Sequence, residues 1–395
     1  MDQADDAALR GLRVVFLSWR DTRNPEGGGA ERALEEVARG LVERGAQATI
    51  FCASHAGAPP EEVIDGVRFV RRGSKLTVYP QGMSSLLRGL LGKADVVVDV
   101  QNGMPFFSRL VSRKPIIVLV HHVHREQWPV VYPGVTGRVG WWVESRFAPR
   151  LYRAQQYVTG SRATRDELGR LGVDVNRIAV VHYGAERQPQ LGVAKTTHPS
   201  ICVVGRLVPH KQVEHAIDAA ADLRRELPGL TLTVVGSGWW EGTLHAYVEE
   251  RGYSDFVEFT GHIDEAHREE IYERSWVLAL PSLKEGWGLV VGEAALAGTP
   301  AVAYSAAGGT RESILDGVSG LLVDGGYPAF VAALRRVLTD EALRAQLSAG
   351  ALEAGKRFTW AHTRERFADV VARVARGQRV ATLDEQLDRD YSVEP

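Results

Sequence analysis

Short apolar runs alternate with longer amphipathic stretches along most of the chain. The run Arg13–Ser18 reads as a buried parallel strand, because its central side chains are all apolar. A polar loop ending in Gly27-Gly28-Gly29 follows. Ala33, Leu34, Val37, Ala38 and Leu41 then fall at helical spacing between Ala30 and Glu43, and Gly45 stops that helix. Ala48–Cys52 supplies a second strand. Such a strand–helix–strand unit needs a parallel sheet with helices on its faces. Further buried strands are predicted at Asp95–Val100, Pro115–Val120 and Gln156–Thr159. Helices are predicted over Gly137–Arg153 and Ser161–Leu171, with Ser161 as the cap of the second.

The texture changes between Tyr183 and Ser200. Gly184, Pro189, Gly192, Thr196, Thr197 and Pro199 offer little to a core, so this stretch reads as an interdomain linker. The alternation then restarts. Strands are predicted at Ser200–Val204, Leu230–Val235, Phe256–Thr260, Trp276–Leu280 and Pro300–Tyr304. Helices are predicted over Val213–Arg225, Glu241–Gly252, Asp264–Ser275, Gly288–Ala297 and Pro328–Leu338. The expected fold class is α/β, with two tandem Rossmann-like doubly wound parallel-sheet domains facing a cleft. The expected boundaries are residues 11–187, a linker 188–199, residues 200–357, a closing helix 358–377 and a polar tail 378–395. In such sheets ligands sit beyond the carboxyl ends of the strands.

Composition narrows the function. A length of 395 residues suits two domains, and 45% hydrophobic with 24% charged residues is ordinary for a globular protein. A formal net charge of −2 gives no basic excess for binding nucleic acid. Cys52 and Cys202 lie far apart in apolar runs, which argues against a disulfide scaffold and against a cysteine zinc site. Residues Met1–Ala8 are acidic and lack the apolar core of a signal peptide, and the longest apolar runs are too short to span a bilayer. A cytoplasmic protein is expected. The small net charge hides an asymmetry: divided at Arg187, the first half is basic in excess and the second acidic.

The densest chemistry lies between Pro281 and Pro300. Glu285 precedes Gly286-Trp287-Gly288-Leu289, and the following helix carries Glu293. Glycines before a helix start allow close approach to an anion, and two carboxylates can each accept hydrogen bonds from sugar hydroxyls. The plain alternative is a capping Glu285 and a surface Glu293. Arg206 and Lys211 follow the strand Ser200–Val204, where a clamping guanidinium and a compact ammonium suit a diphosphate. Gly236-Ser-Gly238 ends another strand, but the next glycine, Gly242, is one place late for a dinucleotide fingerprint.

The pair Glu285 and Glu293 with seven residues between them, inside Glu-Gly-Trp-Gly-Leu and before Ala-Gly-Thr-Pro, resembles the Glu-x7-Glu signature of retaining glycosyltransferases of family 4 with the GT-B fold. Gly205-Arg-Leu-Val-Pro-His-Lys211 resembles that family's phosphate-binding turn, and Gly27-Gly28-Gly29-Ala-Glu31 its N-domain glycine loop. The resemblance covers residues 11–375. It implies catalytic roles for His121, Arg206, Lys211 and Glu285. It implies donor contacts from Gly28, Gly29, Gly205, Gly236, Gly238, His262, Ile263, Gly286, Trp287, Gly288, Leu289 and Glu293, with Glu285 on the donor sugar and Glu293 on the ribose. It further implies same-face attack with retention and a final helix crossing back to the N-domain. Domain closure would exclude water.

His121-His122-Val-His124 follows the strand Pro115–Val120. No partner at ligand spacing supports a metal, so none is expected, and Asp388-Arg-Asp390 reads as a coincidence in the tail. The family's functional histidine falls at His121 or His122. With His124 and Trp128, His122 is assigned to the acceptor side; Trp128 either stacks on a sugar or packs internally. The predicted helix Gly137–Arg153 mixes Trp141, Trp142 and Phe147 with Arg138, Arg146, Arg150 and Arg153, as a core helix or as a face for a membrane surface. The resulting expectation is transfer from a UDP- or GDP-sugar to a small-molecule or lipid-linked glycan acceptor, in cell-envelope glycan or secondary-metabolite synthesis, with no cofactor, no nucleic acid and room for peripheral membrane contact. The alternatives are a non-catalytic nucleotide-sugar-binding protein and an NAD-dependent oxidoreductase.

Overall fold

The computed structural model describes residues 8–186 and 191–381. The chain divides into two compact units. The first holds the described residues up to Tyr183 and those from Trp360 onward, and the second Gly184–Thr359.

In the first unit β1 (Arg13–Leu17) leads through α1 (Gly29–Glu43) to β2 (Gln47–Cys52). The hairpin β3 (Glu61–Ile64) and β4 (Val67–Arg71) follows, then α2 (Val78–Leu87), β5 (Val96–Val100) and β6 (Ile116–Val120). After them come α3 (Trp128–Val131), α4 (Val135–Trp142), α5 (Ala148–Leu151), β7 (Gln156–Thr159), α6 (Arg162–Arg170) and β8 (Ile178–Val180). Among the described residues these strands form one eight-stranded sheet in the order β3-β4-β2-β1-β5-β6-β7-β8. Side chains alternate across it: Val14 and Phe16 join the core beneath α1, and Val15 and Leu17 the core on the opposite face.

The second unit repeats the plan with β9 (Ser200–Val204), α7 (Val213–Arg224), β10 (Thr231–Val235), α8 (Glu241–Arg251), β11 (Val257–Gly261), α9 (Glu265–Arg274) and β12 (Val277–Leu280). It continues with α10 (Leu289–Leu296), β13 (Ala301–Tyr304), α11 (Thr310–Ser313), β14 (Gly320–Val323), α12 (Gly326–Thr339) and α13 (Glu341–Gly355). The parallel sheet has the order β11-β10-β9-β12-β13-β14. The strand order reverses between β9 and β12, so their following loops diverge and open a crevice at the carboxyl edge. The last helix, α14 (Trp360–Ala375), belongs to the first unit. Phe367 stacks on Phe16 at 6.2 Å, and Arg364 pairs with Glu36 of α1 at 2.9 Å.

Three local features depart from the sequence reading. The β3–β4 hairpin adds an antiparallel edge that no predicted strand covered. Its turn is Asp65-Gly66, with φ of 49° and 79°, the left-handed pair that a two-residue hairpin turn requires. The single helix expected over Gly137–Arg153 instead starts at Val135 and is broken by a π-turn, Val143–Phe147, before α5. Pro149 in the first turn of α5 has no N–H to continue the ladder, and Glu144 in the π-turn faces inward. The expected linker is also less bare than its composition suggested. Tyr183 and Ala185 are buried. The Leu191 and Val193 N–H groups donate to the Glu273 carboxylate (3.0 and 2.9 Å), and Lys195 Nζ donates to Ser275 O and Thr299 Oγ1 (2.7 and 2.6 Å). Residues 187–190, which include the start of the expected linker 188–199, lie outside the described residues, as do the tail from 382 and its Asp388-Arg-Asp390. Among the described residues no helix is long and apolar enough to cross a membrane.

Phe367 is fully buried. Phe367→Ala should therefore lower the unfolding free energy by about 3–5 kcal/mol, read as a lower urea midpoint with an unchanged m-value.

Candidate active site

The carboxyl edge of the second sheet is laced by backbone hydrogen bonds. Gly205 N–H donates to Val235 O (3.0 Å), Leu207 N–H to Ser237 O (2.9 Å) and Gly236 N–H to Gly261 O (2.8 Å). The loop after β12 joins them through Leu283 N–H and His210 O at 2.9 Å. This lacing needs glycine. A Cβ on Gly236 would lie 2.0 Å from Gly205 O, and one on Gly238 would lie 2.2 Å from Leu207 O. Arg206 is half-buried on this edge, His262 is exposed, and Ile263 packs against the α9–α10 side of the core.

Lys211 and Glu285, treated separately in the sequence, meet here. Lys211 Nζ donates to Glu285 Oε1 at 2.5 Å, and the Glu285 side chain is largely buried. The Glu285 backbone is pinned on both sides, donating to Ala307 O (2.7 Å) and accepting from Gly309 N (3.0 Å). Gly286 passes under Gly309, where a Cβ would meet Gly286 O at 2.2 Å. Trp287 is buried edge-on against Phe358 at 4.8 Å. Gly288, at φ 86°, turns the chain into Leu289 and α10. Glu293 Oε2 accepts from Tyr272 Oη at 3.1 Å and faces Arg268 Nε at 3.5 Å. Tyr272 and Arg268 lie four residues apart on α9, so one helix face holds this carboxylate. Neither residue was singled out by sequence, because the signal is a contact between helices.

In the first unit the glycine loop is organised by Glu31. Its carboxylate accepts from Gly28 N–H and from Arg20 Nε, each at 2.8 Å, and Gly29 opens α1. Glu35, one turn on, accepts Thr22 N–H and Oγ1 at 2.7 Å, and burial pushes its carboxyl up to about 7.

The three histidines have three environments. His121 is buried, with Nδ1 2.7 Å from Tyr183 Oη. Burial pushes its imidazole down to about 4, so it is neutral near pH 7. His122 Nε2 lies 2.9 Å from Gln127 Nε2. His124 is clamped between Glu144 Oε1 (3.0 Å) and Asn102 Oδ1 (2.7 Å). Trp128 donates from Nε1 to Glu144 Oε2 at 2.6 Å, and its ring occupies the space a Cβ on Gly140 would need. Trp128 is thus half-buried, with its ring packed on Gly140. Among the described residues no group of three or more His, Cys, Asp or Glu is arranged to hold a metal ion.

Two family models match the chain in succession: Glycosyltransferase Family 4 over residues 27–188 and Glycosyl transferases group 1 over residues 185–354. The chain is 29% identical to the D-inositol 3-phosphate glycosyltransferase of Xylanimonas cellulosilytica, over 93% of this chain and 98% of that protein. It is 25% identical to the glycogen synthase of Mycobacterium tuberculosis H37Rv, over 93% and 96%. Anabaena HepE, solved in complex with UDP-glucose, superposes with a TM-score of 0.70 at 20% identity, over 91% of this chain and 99% of that one. The fold is GT-B, and the protein is a glycosyltransferase. Its type is that of family 4.

The depressed His121 pKa has a stability consequence. Between pH 6.5 and about 4 the unfolded chain binds a proton at His121 that the folded chain does not, so stability falls as pH falls through that window. Urea titrations should show wild type losing up to about 1.4 kcal/mol per pH unit more than His121→Gln there. Parallel pH profiles would contradict a buried neutral imidazole.

Proposed function

We propose that this glycosyltransferase moves a hexose from a nucleoside-diphosphate donor to an acceptor hydroxyl with retention, without a metal ion or other cofactor. The Lys211–Glu285 pair at the laced carboxyl edge carries the reading. A diphosphate arriving beside Arg206 and Lys211 gains two cations, and Glu285 is then released to accept from sugar hydroxyls. Glu293, steadied by Tyr272 and Arg268, would accept from the ribose hydroxyls. Gly236, Gly238 and His262 would flank the base, with backbone groups there meeting the edge of uracil or guanine. The anomeric carbon–oxygen bond to the diphosphate breaks, and its electron pair leaves with the phosphate. The acceptor oxygen bonds to the same face of that carbon, and its proton passes to the departing phosphate oxygen. UDP-glucose in the HepE crystal supports a nucleotide-sugar donor. Lys211→Ala should slow transfer at least about tenfold with the fold intact, since it removes charge stabilisation of the leaving group. The wild-type product should keep the donor's anomeric configuration by NMR; an inverted linkage would reject the retaining mechanism.

The acceptor is proposed to be a small-molecule or lipid-linked glycan, met at a membrane surface by the face carrying α3 and α4. Val135, Val139 and Trp142 form an exposed stripe on α4, with Val135 65% and Trp142 55% exposed. Exposed Val130 and Val131 precede them, and exposed Arg125, Arg138, Arg146 and Arg150 surround them. Glu126 is exposed there too, but Glu144 is buried, so the exposed charge is mainly basic. Apolar residues ringed by arginine suit an anionic lipid interface. The full chain should co-sediment with phosphatidylglycerol vesicles and not with phosphatidylcholine alone. Val139→Ser/Trp142→Ser should lose most of that binding. Equal recovery with both lipids, or self-association that buries Trp142, would count against it.

A further inference from the structure

His121, Gly160 and Tyr183 follow three adjacent strands, β6, β7 and β8. The Tyr183 ring passes over the end of the middle strand to reach the imidazole. Gly160 makes that path: a Cβ there would lie 2.6 Å from Tyr183 Cε2 and 2.9 Å from Cζ. The two rings are 5.6 Å apart, and Tyr183 Oη lies 2.7 Å from His121 Nδ1.

The proton's place follows from counting donors. Tyr183 is buried, and among the described residues its hydroxyl has one hydrogen-bond partner, His121 Nδ1. Burial also raises the phenol's pKa, so it keeps its proton. If Nδ1 carried a proton and donated, the buried phenol hydrogen would have no acceptor. If the phenol donates, both atoms of the contact are satisfied and the ring proton sits on Nε2. The charged or titratable groups facing the ring are Glu31 from α1 and His124 from its own loop. Their effects oppose each other and are smaller than that of burial.

We propose that Tyr183 is a positioning residue that fixes His121 in the Nε2–H tautomer, so that the imidazole meets substrate as a neutral hydrogen-bond donor and not as a base. The role toward substrate rests on the glycosyl-transfer reading above; the tautomer does not. An Nε2–H group can hold a sugar oxygen, but it has no lone pair with which to take the acceptor proton.

The test uses the full chain labelled with 15N-histidine. Two-bond 1H–15N correlation spectra at neutral pH, with His121 assigned by loss of its peaks in His121→Gln, report the tautomer without any substrate. The wild type should show the Nε2–H pattern. Tyr183→Phe should shift it toward Nδ1–H or a mixture, and Gly160→Ala, which displaces the ring, should do the same. An Nδ1–H pattern in the wild type would overturn the proposal. So would an unchanged Nε2–H pattern in folded Tyr183→Phe. In turnover with a nucleotide sugar, Tyr183→Phe should lower kcat about tenfold while donor KM moves less than about twofold. The Nε2–H pattern without turnover on any nucleotide sugar would remove the glycosyl-transfer reading and leave the tautomer standing. Turnover without that pattern would do the reverse.

Discussion

Backbone-to-backbone approach at the carboxyl edge of the second sheet governs the geometry of the site. Gly236 against Gly205 O, Gly238 against Leu207 O and Gly309 against Gly286 O each leave no room for a Cβ. With these contacts, the loops after β9, β10, β12 and β13 behave as one surface, and Arg206, Lys211 and Glu285 inherit fixed positions from it. Charge placed on a fixed surface needs no reorganisation when charge develops on a substrate, which is how a few polar groups stabilise a leaving group strongly. The glycines are therefore as much a part of the site as the ions they position.

Electrostatics then explain how, under the proposed reading, a half with an acidic excess would serve a diphosphate. The Lys211–Glu285 contact at 2.5 Å balances the cation, and Tyr272 and Arg268 similarly hold Glu293. At this range, in a partly desolvated site, local pairs outweigh the sum of distant surface charges, which salt screens within about 10 Å. Net charge per half carries information about surfaces such as the arginine-rimmed α4 and little about this site.

Most of the architecture was legible because buried parallel strands are apolar throughout and their crossover helices are amphipathic. The site's outline was legible because glycines and charged residues cluster just after strands. What escaped the sequence was long-range pairing. The Asp65-Gly66 turn is a local hairpin signal, but its flanking strands carry Glu61, Glu62, Arg68 and Arg71 in place of an apolar run. The π-turn at Val143–Phe147 depends on Glu144 turning inward to His124 and Trp128, partners 20 and 16 residues away. Tyr183 lies 62 positions from His121 in a stretch whose composition read as linker. No periodicity reports such contacts.

The histidine cluster shows how environment divides identical side chains. His124 is held by Glu144 and Asn102 on its two nitrogens, so its ring is occupied by structure. His122 is half-buried beside Gln127. His121 alone combines full burial with a phenol partner on one nitrogen. Under the proposed reading His121 presents a proton and not a lone pair, and Glu285, once released from Lys211, is engaged by sugar hydroxyls. A departing phosphate oxygen is then the basic group closest in chemistry to the acceptor's proton. A neutral imidazole that donates to a sugar oxygen strengthens that scheme, because it orients the sugar without competing for the proton.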